Sequence, residues 1–176
     1  MPPESIIQSP DKKLVTMALM VALGVILHRV EALLPLPTPW IKLGLANIMT
    51  LLALVFLGFK EALIVTALRV FLGSIIGGTF LGPTFFLSLT GGLAATFLMA
   101  LVYGRGQGPF SMIGVSIAGA YAHILAVTFC VYFMFIPQEA FLKLLPVFLS
   151  LALVSGLLTG IAANILTHRL AAVSLR

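Results

Sequence analysis

The sequence predicts an all-α integral membrane protein, a bundle of six transmembrane helices. Three observations lead there. Hydrophobic residues fill 61% of the 176 positions and charged residues only 9%. The apolar residues form continuous runs rather than an alternating pattern, which excludes the signature of a β-barrel. Short segments rich in proline, glycine or charge separate the runs. A soluble domain of this size needs far more polar surface. At about 20 apolar residues per span, the chain accommodates six helices and no additional catalytic or nucleic-acid-binding domain.

The segments follow in order. Residues 1–13 read as a polar N-terminal tail, 14–168 as a single six-helix transmembrane domain, and 169–176 as a basic C-terminal tail. The first helix is expected over Leu14–Leu27, with His28, Arg29 and Glu31 reaching the far interface. Its start after Lys12 and Lys13 resembles a signal peptide, but it continues into Glu31 and Pro35 without a small-residue cleavage site and is read as retained. Pro35, Pro37 and Pro39 cannot continue a helix. The second helix is expected over Ile41–Leu57, the third over Glu61–Thr79, and the fourth over Thr84–Tyr103. The glycine-rich stretch from Gly104 to Pro109 is a loop. The fifth helix is expected over Phe110–Phe135 and the sixth over Pro146–Leu166, with a partly helical interfacial segment near 137–143 between them.

Orientation follows from the basic residues flanking the spans. Lys12, Lys13, Lys60, Arg105, Arg169 and Arg176 fall on one side, and Arg29, Lys42 and Lys143 on the other. The excess places both termini in the cytoplasm. The net charge of +5 comes from these scattered flanking residues and not from a phosphate-tracking patch, so nucleic acid is excluded as a partner. The single Cys130 excludes an intramolecular disulfide.

Polar residues inside spans are few and therefore informative. Arg69 is foremost. A central arginine costs at least about 2.5 kcal/mol on insertion scales, so it either contacts an anionic ligand group or snorkels to an interface. In the ligand-binding case, Arg69→Leu removes a buried-charge cost and is expected to leave the protein at least as stable. His123 lies midway along the fifth helix, on a face with Ser116, Gly119 and Ala120, and either meets a ligand or packs as a core histidine. Asn47 and Thr50 share a face of the second helix. With Lys42 and Trp40 they outline the mouth of a pocket, although Lys42 and Trp40 equally suit interfacial anchoring. Thr90 and Ser88 are weaker candidates, because hydroxyls in membrane helices usually bond back to their own backbone. Ligand-binding candidates are thus Arg69, His123, Asn47, Lys42, Trp40 and Thr90.

Small residues recur at helical spacing, notably Ala18 and Ala22, Gly73 and Gly77, and Ala152, Gly156, Gly160 and Asn164. Such stripes allow close helix approach in lipid. Catalysis finds no support. One aspartate and four scattered glutamates provide no carboxylate pair for magnesium on a diphosphate. No Walker loop is present, no Ser/His/Asp set is evident, and no spacing marks a metal site. No catalytic residue, metal or cofactor is expected.

The run from Trp40 through Lys42-Leu-Gly-Leu-Ala-Asn47 to Leu54, then Leu57-Gly-Phe-Lys-Glu-Ala62 and Leu68-Arg-Val-Phe-Leu-Gly-Ser74, resembles a bacterial family. It goes under the names heptaprenyl diphosphate synthase component I and Gx transporter family. The stretch from Pro109 to His123 fits the same family. This family is similar to the substrate-binding S components of energy-coupling-factor (ECF) transporters, six-helix proteins that capture a small metabolite and dock on a transmembrane coupling protein with two ATPases. The resemblance implies an S-component-like fold, a small-molecule substrate and those partners. It also implies docking through first-helix alanines four apart. Ala18 and Ala22 match, while Ile26 occupies the next position in register. The synthase name implies instead a noncatalytic membrane subunit of a prenyl diphosphate synthase. A third possibility is a membrane scaffold without a ligand.

Overall fold

The structure, a computed structural model, describes residues 9–33, 44–104, 110–135 and 137–174. All described secondary structure is helical: α1 (Pro10–Ala32), α2 (Asn47–Phe56), α3 (Phe59–Ile76), α4 (Pro83–Tyr103), α5 (Met112–Met134), the single turn α6 (Glu139–Leu142) and α7 (Leu145–Ser174). The helix ends follow local chemistry. The Ser9 hydroxyl accepts from the Lys12 N–H, and Pro10 sits in the first turn of α1, where its missing N–H costs nothing. Ser111 caps α5 by accepting from the Gly114 N–H. Gly104 ends α4 in the left-handed conformation at φ 52°, which glycine adopts without strain.

Helices α1, α4, α5 and α7 are each long and apolar enough to cross a membrane. Helix α3 has 18 residues and carries Lys60 and Glu61 in its first turn, with Arg69 farther along. Helix α2 differs from expectation. It begins at Asn47, after a turn in which Gly44 takes φ 73°; residues 41–43 lie outside the described residues. Its ten residues rise only about 15 Å against a hydrocarbon thickness of about 30 Å.

Helix α2 is the core of the bundle. Every residue from Ile48 to Val55 is buried, as expected of a helix apolar on all sides. It packs against α1, α3, α4 and α7, while α1 packs on α3, α3 on α4, α4 on α5, and α5 on α7. The outward faces carry large exposed apolar side chains, among them Leu19, Phe97, Leu101, Val154 and Leu158. Such a surface suits lipid, and the backbone polar groups of the spans are paired within their own helices, as hydrocarbon requires.

Two apolar clusters fill the interior. One joins Met20, Val21, Leu51, Val65, Met99, Val115 and Ala163; the other joins Leu87, Ile124, Val127, Val131, Phe141 and Phe148. Lys13 pairs with Glu61, tying the starts of α1 and α3. The stripe on α7 behaves as expected from sequence. A Cβ added at Gly156 or Gly160 would lie 2.8 Å from the Cα of Ile117 or Ile113 of α5, so these glycines allow the two backbones to touch.

Three buried threonines form a directed chain across α2, α3 and α4. Thr96 donates to the Gly92 carbonyl at 2.8 Å. Each hydroxyl has one hydrogen, so Thr66 donates to Thr96 (3.0 Å) and Thr50 to Thr66 (2.9 Å). Replacing Thr66 with the isosteric valine is expected to destabilise the protein by about 1–3 kcal/mol, because it strands the Thr50 hydrogen in an apolar setting. Thr66→Ser should be near neutral. Thermal melting in mild detergent compares the two, and equal melting temperatures would show that the chain contributes no stability.

Candidate functional site: a polar cavity around Arg69

Adjacent to the threonine chain, five helices surround a cavity with an empty space of about 240 Å³, counting its open mouth. Its lining is His28 and Glu31 from α1, Gly44, Ala46 and Asn47 at the start of α2, Arg69 from α3, Ser88 from α4 and His123 from α5.

Arg69 is the centre of this arrangement. It is 3% exposed, so it does not snorkel. Its Nη2 donates to Asn47 Oδ1 at 2.6 Å, while its Nε is buried and has no hydrogen-bond partner. An unpaired buried donor is costly, and charged donors in a low-dielectric site attract an acceptor strongly. Glu31, buried in the same cavity, accepts the Gly44 backbone N–H, which fixes the turn leading into α2.

Glycines create the space. A Cβ at Gly24 would sit 3.2 Å from Arg69 Cδ, and one at Gly92 would lie 3.6 Å from Arg69 Nη2. A Cβ at Gly73 would come within 3.0 Å of His28 Cδ2, and one at Gly91 within 2.7 Å of His123 Cε1. These small residues, which from spacing alone read as helix-packing stripes, seat polar side chains instead. Those of α7 meet backbone. Gly77 likewise faces the Arg29 guanidinium, away from the cavity.

Three of the residues expected from the sequence come together here: Arg69, Asn47 and His123. Trp40 and Lys42 lie outside the described residues. Thr90 is placed elsewhere. Its side chain is exposed, its hydroxyl donates to the Phe86 carbonyl of its own helix, and its other neighbour is the Cys130 sulfur at 4.0 Å. The backbone carbonyl one turn earlier satisfies it, as is common for hydroxyls in membrane helices. Ser88 donates likewise to the Thr84 carbonyl at 2.7 Å yet lines the cavity. Ala18 and Ala22 are exposed on the outer face of α1.

His28 and Glu31 were expected at the interface and are instead buried in the cavity. The reason is the length of α1, which continues unbroken to Ala32 and so turns both residues inward. A signal for them exists in the sequence: Gly24, His28 and Glu31 stand at i, i+4 and i+7, one helix face. Among the described residues, no group of three or more His, Cys, Asp or Glu side chains could hold a metal ion.

Comparison with known proteins places this arrangement in a context. A solved structure described as "Structure and mechanism of the S component of a bacterial ECF transporter" superposes with a TM-score of 0.75 at 18% identity, covering 96% of this chain and 100% of the other. The two therefore share a fold. No curated protein matches the sequence. A family model, heptaprenyl diphosphate synthase component I, matches residues 20–166, which include every described residue that lines the cavity. The chain belongs to the heptaprenyl diphosphate synthase component I family.

Proposed function

We propose that this protein is the substrate-binding S component of an ECF-type, ATP-driven importer of a small metabolite. One observation carries the reading: a compact polar cavity enclosed by five helices, centred on a buried arginine whose Nε has no partner. A protein that only scaffolds others has no use for such a group, since an intramembrane ionisable residue is costly unless it serves a site. The shared fold with an S component supports the same reading. In it, both termini lie in the cytoplasm of a bacterial cell, and ATP is hydrolysed by partner subunits reached through a transmembrane coupling protein. The chain itself performs no chemistry.

The family description supports a second reading, a noncatalytic membrane subunit of a heptaprenyl diphosphate synthase. Deleting the gene separates the two. An importer component is expected to leave quinone side-chain length unchanged while uptake of one metabolite is lost. Loss of the long-chain isoprenoid, restored only by this gene, would overturn the importer reading.

A further inference from the structure

Arg69 is held along its whole length. Its stem passes α1 at Gly24, where an added Cβ would lie 3.2 Å from Cδ, and its head passes α4 at Gly92, where one would lie 3.6 Å from Nη2. Asn47 accepts from Nη2 at 2.6 Å. A guanidinium donates and never accepts, so the Asn47 amide turns its oxygen to Arg69 and its nitrogen away. The side chain is thereby fixed in the cavity wall, 3% exposed, with its Nε buried and without a hydrogen-bond partner.

The chemistry of this partner matters. Aspartate has nearly the shape of asparagine and would accept the same Nη2 hydrogen bond, but it would also set a negative charge against the guanidinium. Asparagine orients Arg69 and leaves its charge in place. A cation oriented by a neutral group keeps its attraction for an anion, and charge-assisted hydrogen bonds are roughly twice as strong as neutral ones. A neutral carbonyl arriving at Arg69 gains less from the same donors.

We infer that Asn47 is a positioning residue that holds Arg69 without neutralising it, so that the cavity takes its ligand by an oxyanion group, carboxylate or phosphoryl, which accepts from Arg69. This deepens the importer reading and rests on it. Exchanging Asn for Asp at position 47 changes one charge and leaves every other group around the cavity in place. The comparison therefore does not depend on how the remaining charges are distributed.

The test uses the full chain purified in mild detergent. The probes are sodium acetate, its neutral isostere acetamide, and inorganic phosphate, with sodium chloride at matched ionic strength as the reference. A molecule that binds only the folded state raises the melting temperature. Acetate or phosphate is expected to raise it, and acetamide is not. The larger of the two anion shifts tells a carboxylate from a phosphoryl group. Arg69→Leu should lose the anion shift, which separates binding from the general stabilising effect of excluded salts. Asn47→Asp should lose it as well, measured against that variant's own melting temperature in the reference salt. A purely structural Asn47 would change the melting temperature of the variant but not its anion shift. Acetamide stabilising the unmodified protein as much as the anions would overturn the inference, as would no shift with either anion, or a shift that survives in Asn47→Asp or in Arg69→Leu. The first two outcomes are read on the unmodified protein and stand whether or not the variants fold. The importer reading is judged separately, by metabolite uptake in the deletion strain, which does not depend on the probes.

Discussion

Arg69→Leu is expected to abolish ligand binding and to lower the stability of the bundle by about 1–3 kcal/mol, the usual cost of leaving a buried polar group without its partner. From the sequence, a ligand-binding Arg69 implied a neutral or stabilising effect of this change, and a structural Arg69 a loss of stability. The structure supplies Asn47, which accepts from Arg69 at 2.6 Å, with the buried Glu31 lining the same cavity. Leucine leaves the Asn47 oxygen without that donor. The double variant Arg69→Leu/Asn47→Leu removes both partners of the hydrogen bond and should regain most of that stability but none of the binding. The non-additivity between the single and double variants measures the coupling directly. Arg69→Lys keeps the charge but loses the planar fork of donors. It should fold normally and weaken ligand binding by about 1.5–3 kcal/mol. Thermal melting with metabolite uptake by cells carrying each variant reports both quantities. Normal uptake by Arg69→Leu would remove Arg69 from the site.

Replacing Ala18 and Ala22 together with leucine is expected to abolish copurification with a transmembrane coupling protein and its ATPases while leaving the fold intact. Both alanines are exposed on α1, beside Val15, Leu19 and Ile26, which are 68%, 60% and 56% exposed. Added methyl groups there meet lipid in the isolated protein, so stability and ligand binding should be preserved. In a docked complex they hold two helix backbones apart, and close approach is what a small-residue stripe provides. Gly24→Leu is the internal control. It lies on the same helix but on the buried face, with Arg69 Cδ 3.2 Å from where its Cβ would begin. It should disrupt the cavity and the bundle and leave the docking face unchanged. Pull-down from membranes and melting in detergent distinguish the two faces. Unchanged copurification of the alanine variant would show that the stripe plays no part in docking.

Not all of the candidate site was equally legible. Arg69 stood out because charge inside an apolar run is rare in membrane helices. Asn47 and His123 stood out as polar side chains inside apolar runs. His28 and Glu31 did not, because they follow a run that could have ended before them. Only the continuation of α1 to Ala32 brings them inside. Thr90 has the right chemistry and faces the wrong way. The glycines were visible as small residues, but whether a glycine receives a helix backbone, as Gly160 does, or a polar side chain, as Gly91 does, depends on the neighbouring helix.

By itself, the sequence determined that this protein is a helical membrane bundle and that its interior holds a costly arginine. These follow from composition, run length and local hydrogen bonding, because in hydrocarbon a span must satisfy its backbone within itself. The tertiary structure decided that the short α2 is the core, that Glu31 and Asn47 are the neighbours of Arg69, and that glycines from α1 and α4 make room for it. In a soluble helix the polar face marks which side points inward. Here lipid-facing and core-facing residues are both apolar, so the pattern along each helix does not reveal its rotation. Only packing five helices around one charge does.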